Sequence, residues 1–385
     1  MQLWRSIAIL FLGLLLAACN SIEHRSEAIP KQALPKVTTL NAQPTVVWSS
    51  NHGAGDLKNE GKLRLAVTRE AIISADGKGH IFAQDRNSGA LKWQVDTKAT
   101  LSAGPAVIQE TILVGTRDGH LKAYRAHDGQ FLWQTQLNGE VLASPKGYNG
   151  MIYVKTQEGT ITALQLADGK IAWRYSLHMP PIVLRQSSSP IITPAHVLVG
   201  FPNGRLVALH RQNGMVDWER DISVPKGRSD IQRMSDISAD PVVINNTAYV
   251  VSYQGRLVAL SEQDGQSVWE QDMSSYSGLD ILGRELFVAD AKGEVWAMDR
   301  TSGKVMWKQS SLQGRRLSKP VAFGNTVVIG DEDGFLHLLS QTDGSYINRI
   351  SIDKKGVEAP PVLMDNKLYV LSRGGKIAVL SLGGQ

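Results

Sequence analysis

The sequence predicts an all-β protein, an eight-bladed β-propeller with four antiparallel strands in each blade. Three observations lead to this prediction. A unit of about 40 residues recurs eight times, its apolar residues alternate as they do in strands, and the last copy lacks one strand that a segment near the N-terminus can supply. Four-stranded sheets that repeat around an axis protect their edges by closing into a ring.

The repeat is framed by two glycines and a tryptophan. In the copy that reads DGHLKAYRAHDGQFLW, Gly129 follows Gly119 by ten residues and Trp133 comes four residues later. The first glycines of the eight copies are 40, 40, 45, 51, 38, 41 and 41 residues apart, a period typical of propellers and other repeat proteins. The complete copies predict docking tryptophans at Trp93, Trp133, Trp173, Trp218, Trp269 and Trp307.

Within each copy the pattern predicts four strands. The residues after the first glycine alternate, as in RLVALHR and EVWAMDR, and a β-branched run such as TVVIG precedes that glycine. A short apolar strand that often follows a proline comes first, and the tryptophan lies on the fourth strand, after an Asp-Gly or Ser-Gly turn. We expect each indole to stack between neighbouring blades, where an alanine on the third strand leaves room for close packing.

The last two copies are incomplete. Asn348 stands where the seventh copy should have its tryptophan, and Gly375 is followed by only ten residues. Residues 44–50, PTVVWSS, form a β-branched segment that contains Trp48, which we predict to be a seventh docking tryptophan. We therefore expect this segment to be the outer strand of the last blade, so that residues 44–385 form one closed propeller.

Residues 1–18 have the features of a bacterial lipoprotein signal peptide. Arg5 precedes an apolar run that is too short to span a bilayer, and Leu16-Ala17-Ala18-Cys19 resembles a lipobox, whose cysteine becomes the lipidated N-terminus. The alternative is an ordinary signal peptide with an incidental cysteine. An aspartate at position 20 would resemble an inner-membrane retention signal, so Asn20 favours the outer membrane, with the lipid anchor on its periplasmic side.

Residues 19–43 are predicted to be the lipidated cysteine and a flexible tether, because they contain few large apolar residues and no repeat. About 24 residues of such chain have a typical reach of roughly 25–30 Å. A single cysteine also means no internal disulfide. The formal charge of +5 comes from basic residues scattered around the blades, so the sequence indicates no nucleic-acid partner.

Two connectors between blades are longer than the others. The spacing from the strand-initial proline to the first glycine is the same in every copy that has this proline, as from Pro190 to Gly204. The spacing from the tryptophan to the next proline varies, and it is longest from Trp173 to Pro190 and from Trp218 to Pro241. The corresponding spacings after Trp93, Trp133 and Trp307 are shorter and nearly equal. Because strands alternate in direction, both long connectors emerge on one face and flank the fourth blade.

The composition of these two connectors favours a binding face. The first carries Ile182, Leu184 and Arg185, and the second carries Asp236 and Asp240. Insertions on one face of a repeat protein commonly mark its binding face, and apolar residues beside an arginine are typical of an interface anchor. The alternative is that Ile182 to Leu184 pack beneath the loop as a small satellite core.

No familiar catalytic or metal-binding motif is present in the sequence. It contains no HExxH, GxSxG, P-loop or GxGxxG pattern, and its nine histidines lack metal-ligand spacing. The sequence therefore predicts no catalytic residue, no metal and no cofactor, and a protein that is not an enzyme.

Two segments, AQDRNSGALKW and AMDRTSGKVMW, resemble the tryptophan-docking motif of quinoprotein dehydrogenases, which are also eight-bladed propellers. The pyrroloquinoline quinone enzymes resemble one another further in an adjacent cysteine pair near the cofactor, whereas this chain has one cysteine. A periplasmic quinoprotein-like dehydrogenase, or a relative with a lost or altered cofactor site, is therefore the alternative function.

Over its whole length the chain resembles the BamB family, the propeller lipoproteins of the outer-membrane β-barrel assembly machinery. The resemblance covers the lipobox, the tether, the eight blades and both long connectors. It implies a non-enzymatic scaffold that docks on the periplasmic POTRA domains of the barrel insertase and supports the assembly and insertion of outer-membrane proteins. Nascent outer-membrane proteins are then a second candidate partner.

The resemblance also implies which residues dock. In the BamB family the first long connector carries apolar residues and an arginine that contact a POTRA domain, and the second carries an acidic pair. Ile182, Leu184 and Arg185 match the first pattern, and Asp236 matches the first acidic position. Ser238 stands where the second acid is expected, which leaves Asp240 as its candidate replacement.

Overall fold

A computed structural model describes residues 29–37, 44–55, 62–179, 187–223 and 235–382. In these ranges the chain folds into eight sheets, seven with four strands and one with a short fifth strand. The strands belong to one compact unit, Lys31–Gln385, and the predicted eight-bladed propeller is confirmed. Within the described ranges, no helix has the length and apolar character needed to cross a membrane.

The first four blades follow one another in chain order. Two strands precede them, β1 (Pro44–Asn51) and β2 (Lys62–Leu63). The first blade contains β3 (Ala66–Val67), β4 (Ala71–Ala75), β5 (His80–Asp85) and β6 (Leu91–Asp96). The second contains β7 (Leu101–Ile108), β8 (Thr111–Thr116), β9 (His120–Arg125) and β10 (Phe131–Gln136). The third contains β11 (Lys146–Tyr148), β12 (Met151–Lys155), β13 (Thr160–Gln165) and β14 (Ile171–Ser176). The fourth contains β15 (Ile191–Ile192), β16 (His196–Gly200), β17 (Arg205–His210) and β18 (Val216–Asp221).

The remaining blades repeat this order. The fifth contains β19 (Val242–Ile244), β20 (Thr247–Val251), β21 (Arg256–Ser261) and β22 (Ser267–Asp272). The sixth contains β23 (Leu279–Leu282), β24 (Glu285–Ala289), β25 (Val295–Asp299) and β26 (Val305–Gln309). The seventh contains β27 (Val321–Phe323), β28 (Thr326–Gly330), β29 (Phe335–Ser340) and β30 (Tyr346–Ser351). The eighth contains β31 (Val362–Met364), β32 (Lys367–Leu371) and β33 (Lys376–Leu382), with β1 as its fourth strand.

The ring closes through the two ends of the propeller, as the sequence predicts. β1 pairs antiparallel with β33, from Pro44 opposite Leu382 to Asn51 opposite Lys376. The strand extends one residue beyond the predicted segment 44–50. Its pairing leaves the eighth blade with four strands, in the order β1-β33-β32-β31.

Because β1 closes the ring, we expect its removal to have a large effect on the stability of the propeller. Deletion of residues 44–51 should bare the backbone groups of β33 as a free sheet edge, so the ring should lose stability and tend to associate. Thermal unfolding and light scattering of the mature chain with and without this segment measure both effects. An unchanged unfolding temperature together with a clean monomer would contradict the closure.

The apolar core is divided among the joints between blades. Each of the eight buried clusters combines residues from two neighbouring blades. At the joint between the third and fourth blades, for example, Tyr153 and Phe201 belong to one cluster and both are fully buried. The stability of the ring therefore depends on contacts between blades as well as on the strand pairing within them.

Each docking tryptophan packs on the turn glycine of the next blade. Trp133 donates a hydrogen bond from Nε1 to the carbonyl oxygen of Leu166 at 3.0 Å, and its ring covers Gly169, which has a φ of 69°. A Cβ at the equivalent Gly129 would lie only 2.8 Å from Cε3 of Trp93, so the turn needs glycine for both its conformation and its space. The seven pairs are Trp48–Gly89, Trp93–Gly129, Trp133–Gly169, Trp173–Gly214, Trp218–Gly265, Trp269–Gly303 and Trp307–Gly344.

This pairing explains why the seventh blade has Asn348 in place of a tryptophan. A tryptophan there would pack on the turn between the third and fourth strands of the eighth blade. That blade has no such turn, because its third strand is β33 and its fourth strand is β1, from the other end of the propeller. The missing tryptophan and the missing turn glycine are thus two consequences of the same ring closure.

Part of the predicted tether lies against the seventh blade. Lys31 forms ion pairs with Glu332 at 2.6 Å and Asp333 at 2.9 Å. Arg349 donates to the carbonyl oxygen of Pro35 at 2.6 Å, and Leu34 packs against the core between the sixth and seventh blades. Because these contacts fix residues 31–35, this part of the predicted segment 19–43 is bound to the ring.

Candidate functional site

The connectors that lead from one blade to the next share a face with the turns between second and third strands. Main-chain hydrogen bonds join the two sets: Gln157 N donates to Glu140 O, Tyr253 N to Asp236 O, and Ala291 N to Ser274 O, each at 2.8 Å. We call this side of the ring the connector face. The described parts of the two long connectors of the sequence prediction lie on it, and we call residues 177–190 the first docking connector and residues 222–241 the second.

A third long connector lies on the same face and was missed by the sequence analysis. Residues 52–65 join β1 to β3, and Gly77 N donates to Gly55 O at 3.1 Å, the same kind of contact that the other connectors make. The signal was available in the spacing of the repeat. Leu65 precedes Gly79 by the same spacing that separates Pro190 from Gly204, and Trp48 precedes Leu65 by the same long spacing that separates Trp173 from Pro190. We call residues 52–65 the crossing connector.

The predicted site residues fall into two groups. Ile182, Leu184 and Arg185 lie outside the described residues, as does Cys19. Asp236 is buried, with 1% of its surface exposed, and only 19% of the Asp240 side chain is exposed. Both aspartates lie at the base of the second docking connector, and direct partner contact at these two positions stays a prediction.

The crossing connector reaches both docking connectors at the centre of the ring. Its strand β2 runs parallel to β7, the inner strand of the second blade. From there Lys62 donates from Nζ to the carbonyl oxygens of Ser187 and Ser238, each at 2.8 Å. Ser187 belongs to the first docking connector and Ser238 to the second, so one ammonium group joins all three.

An ion pair strengthens this junction. Arg64 donates from Nη1 to Oδ2 of Asp240 at 2.7 Å, and the backbone N–H of Ser189 donates to Oδ1 of the same carboxylate at 2.7 Å. Asp240 therefore uses both of its oxygens within the chain. Charge-assisted hydrogen bonds of this kind are stronger than neutral ones, so the bases of the two docking connectors are held together.

The charges of the junction shift the pKa values of its members. Burial raises the cost of ionising Asp240, but the charges of Arg64, Lys62 and Lys146 outweigh it and hold its pKa well below the usual range. Burial lowers the pKa of Lys62 to about 8. Burial and the neighbouring Lys62 lower the pKa of Lys155 to about 7.

The lowered pKa of Lys155 predicts that the free energy of unfolding depends measurably on pH. Its pKa is about 7 in the folded ring and 10.5 ordinarily, so the unfolded chain binds more protons between these values and the free energy of unfolding rises with pH. From about pH 7 to about pH 9 this contribution is roughly 2 kcal/mol. Denaturant unfolding at both pH values should show the rise in the wild type and a smaller one in Lys155→Met. Lys122→Met is the control, and an equal rise in all three proteins would contradict the assignment.

A cavity of about 160 Å³ opens on the connector face beside Lys62 and Arg64. Among the described residues that line it, cationic side chains outnumber carboxylates. The cations are Lys62, Arg64, Arg316, Lys319 and Arg373, and the carboxylate is that of Glu358. In the part of the chain that the structure describes, no three His, Cys, Asp or Glu side chains are grouped to hold a metal ion. Several of these cations already form ion pairs within the chain: Arg64 with Asp240, Lys319 with Asp280, and Arg373 with Glu358.

Comparison with known proteins gives consistent matches. A family model described as outer membrane protein assembly factor BamB matches residues 77–309 and 302–384. The protein of that name from Alkalilimnicola ehrlichii is 47% identical over 380 residues, 98% of this chain and 97% of the relative. The one from Pseudomonas aeruginosa is 42% identical over 385 residues, 98% of this chain and 99% of the relative.

Solved structures agree on the fold. The crystal structure of BamB from Moraxella catarrhalis has a TM-score of 0.81 and 26% identity, covering 88% of this chain and all of that one. Quinohemoprotein alcohol dehydrogenase from Comamonas testosteroni has a TM-score of 0.69 at 13% identity, covering 89% of this chain and 77% of that one, so its likeness concerns the fold alone. Because the family model and relatives of more than 40% identity match almost the whole ring, the chain belongs to the BamB family.

Proposed function

We propose that this chain is a lipid-anchored scaffold of the outer-membrane β-barrel assembly machinery. It docks on the periplasmic POTRA domains of the barrel insertase and supports the insertion of outer-membrane proteins. The observation that carries the proposal is the concentration of long connectors on one face, around the fourth blade. The relatives' name, outer membrane protein assembly factor BamB, supports the same role.

We assign the direct contacts to Ile182, Leu184 and Arg185 of the first docking connector. The invariant half of the repeat does not require them, because they lie in a connector five residues longer than the shortest ones. Two aliphatic side chains suit an apolar groove on the partner, and a guanidinium beside them suits a carboxylate at its edge. This combination concentrates binding energy in a few residues, as interface anchors do.

Asp236 and Asp240 have a different part in this proposal. Since Asp240 is engaged by Arg64 and Ser189, and Asp236 is buried with its carbonyl oxygen bonded to Tyr253, we assign both to holding the second docking connector in place. The sequence prediction of direct contact at these two positions is replaced by this role. The physical reason at Asp240 is cost, because exposing its paired carboxylate to a partner would first break the contacts with Arg64 and Ser189.

The proposed scaffold has no catalytic step of its own. The sequence lacks the familiar catalytic motifs, and the relatives carry the name of an assembly factor. What the chain contributes to assembly is binding and orientation: a rigid ring, a docking face and an anchor.

The anchor and the docking face should be separable by substituting Cys19. Cys19→Ala removes the lipidated residue that we propose, and acyl chains supply the membrane affinity of such proteins. The purified variant should therefore no longer bind lipid vesicles, while its affinity for the insertase's periplasmic domains in solution stays the same. Vesicle flotation and calorimetric titration measure the two properties.

The two halves of this prediction can fail independently. Tight vesicle binding by Cys19→Ala in the absence of any partner would contradict the anchor. Absence of binding to the insertase's periplasmic domains by wild type and variant alike would contradict the docking role.

A further inference from the structure

We propose that the crossing connector is a latch that preorganises the docking surface, with Lys62 and Arg64 as its positioning residues. The latch fixes the bases of the two docking connectors relative to each other, so that the two connectors are presented to the partner together. This inference rests on the docking role proposed above for those connectors. It adds a third connector and two residues that do not belong to the proposed contacts.

The first argument is the geometry around Lys62. The carbonyl oxygens of Ser187 and Ser238 both lie 2.8 Å from one nitrogen, so they are within twice that distance of each other. They come from connectors on either side of the fourth blade, and Lys62 comes from a connector 125 and 176 residues away along the chain. A movement of either docking connector away from the other would therefore break a charge-assisted hydrogen bond.

Arg64 gives the second argument, because it acts on the same two connectors through Asp240. The carboxylate of Asp240 accepts from Arg64 on one oxygen and from the Ser189 N–H on the other. Ser189 lies in the first docking connector and Asp240 in the second, so their hydrogen bond links the same two connectors that Lys62 joins. Arg64 holds the carboxylate that makes this link.

The third argument is that the docking connectors need such a link. Their extra residues lie between blades, outside the invariant half of the repeat, so the blade pattern does not fix one connector relative to the other. Any relative movement of the two loop bases would have to be removed on binding, at a cost in affinity that preorganisation avoids. A latch at the loop bases reduces the cost without touching the partner.

The packing beneath the junction supports this role. Lys155 of the third blade donates to Gly200 O, and its Nζ lies 3.4 Å from Oγ of Ser188. Ile237 N donates to Phe201 O at 3.2 Å. Each docking connector is therefore seated on the blades beneath it right beside the residue that Lys62 holds, Ser188 next to Ser187 and Ile237 next to Ser238.

The experiment compares Lys62→Met with Lys62→Arg in the full mature chain. Lys122→Met is the matched control, because Lys122 also donates to a backbone carbonyl, that of Thr97 at 3.1 Å, but within the first two blades. Hydrogen exchange of the Ser189 amide, measured without a partner, shows whether the bases of the two docking connectors are still held together. Titration with the insertase's periplasmic domains reports the docking surface, and thermal unfolding reports the ring.

Lys62→Met should speed exchange at Ser189 and weaken the affinity by about tenfold, with a nearly unchanged unfolding temperature. Lys62→Arg, which keeps the charge and the donors, should restore both readouts, and Lys122→Met should change neither. Unchanged exchange, or faster exchange with unchanged affinity, would overturn the proposal. If Lys62→Met does not fold, Arg64→Gln takes its place, with the same two readouts and the same outcomes for and against the latch.

The exchange measurement also separates this inference from the docking role. If wild-type protein does not bind the insertase's periplasmic domains, the docking role fails and the preorganisation proposal fails with it, whatever the exchange rates are. If wild type binds and Arg185→Glu does not, but Lys62→Met behaves like wild type in both readouts, the docking role stands and only the latch is overturned.

Discussion

Arg185→Glu is expected to weaken binding to the insertase's periplasmic domains by about 2 kcal/mol or more, roughly thirtyfold, and to leave the unfolding temperature nearly unchanged. The reason is that the substitution reverses a charge at the proposed anchor, where the guanidinium pairs with a carboxylate of the partner. Calorimetric titration and thermal unfolding of the same preparation measure the two quantities.

The matched control for this charge reversal is Arg69→Glu. Arg69 is exposed and lies between β3 and β4, at the opposite face from the connectors, so its reversal should change neither affinity nor stability. Normal affinity of Arg185→Glu would exclude the first docking connector as the contact surface. A large fall in its unfolding temperature would instead identify Arg185 as part of a satellite core beneath the loop.

Trp173→Ala is expected to lower the free energy of unfolding by roughly 3–5 kcal/mol, through lost packing at a blade joint. Trp173 is 9% exposed, donates from Nε1 to the carbonyl oxygen of Arg211 at 3.1 Å, and covers Gly214 of the fourth blade. Tyr153, whose ring centre lies 5.9 Å away, also loses a neighbour. Denaturant unfolding followed by circular dichroism measures the loss.

Trp296→Ala is the matched control for this substitution. Trp296 is partly exposed and lies on the third strand of the sixth blade, away from the docking position, where it contacts Asp290 and Lys308. Its removal should cost clearly less than that of Trp173. Equal losses of unfolding free energy from the two substitutions would contradict the expectation that a tryptophan at the blade joint contributes more to stability.

The architecture was readable from the sequence because each blade repeats the same local instructions. Alternating apolar residues specify strands, Asp-Gly and Ser-Gly turns specify hairpins, and the tryptophan specifies the joint. The order of the copies then implied the ring and its closure by residues 44–50. All seven predicted docking tryptophans, from Trp48 to Trp307, lie against a turn glycine of the next blade.

Asn348 shows the limit of that local pattern. Taken alone, it is an imperfect copy of a motif. In the ring it faces the one blade whose third and fourth strands come from opposite ends of the propeller, where no turn glycine exists to receive an indole. The cause of the departure therefore lies in another blade, and the motif itself contains no trace of it.

The candidate site was likewise predicted only in part from the sequence. The amino-acid sequence alone was sufficient to locate the docking connectors, because their extra length stands out against an invariant spacing. The roles of Asp240 and Lys62 emerged from the folded ring, since their partners lie on other connectors, Arg64 176 residues from Asp240 and Ser187 125 residues from Lys62. Strand patterns follow from residues that are neighbours in the sequence. Contacts at the centre of the ring join residues that are far apart in the sequence, so only the folded ring brings them together.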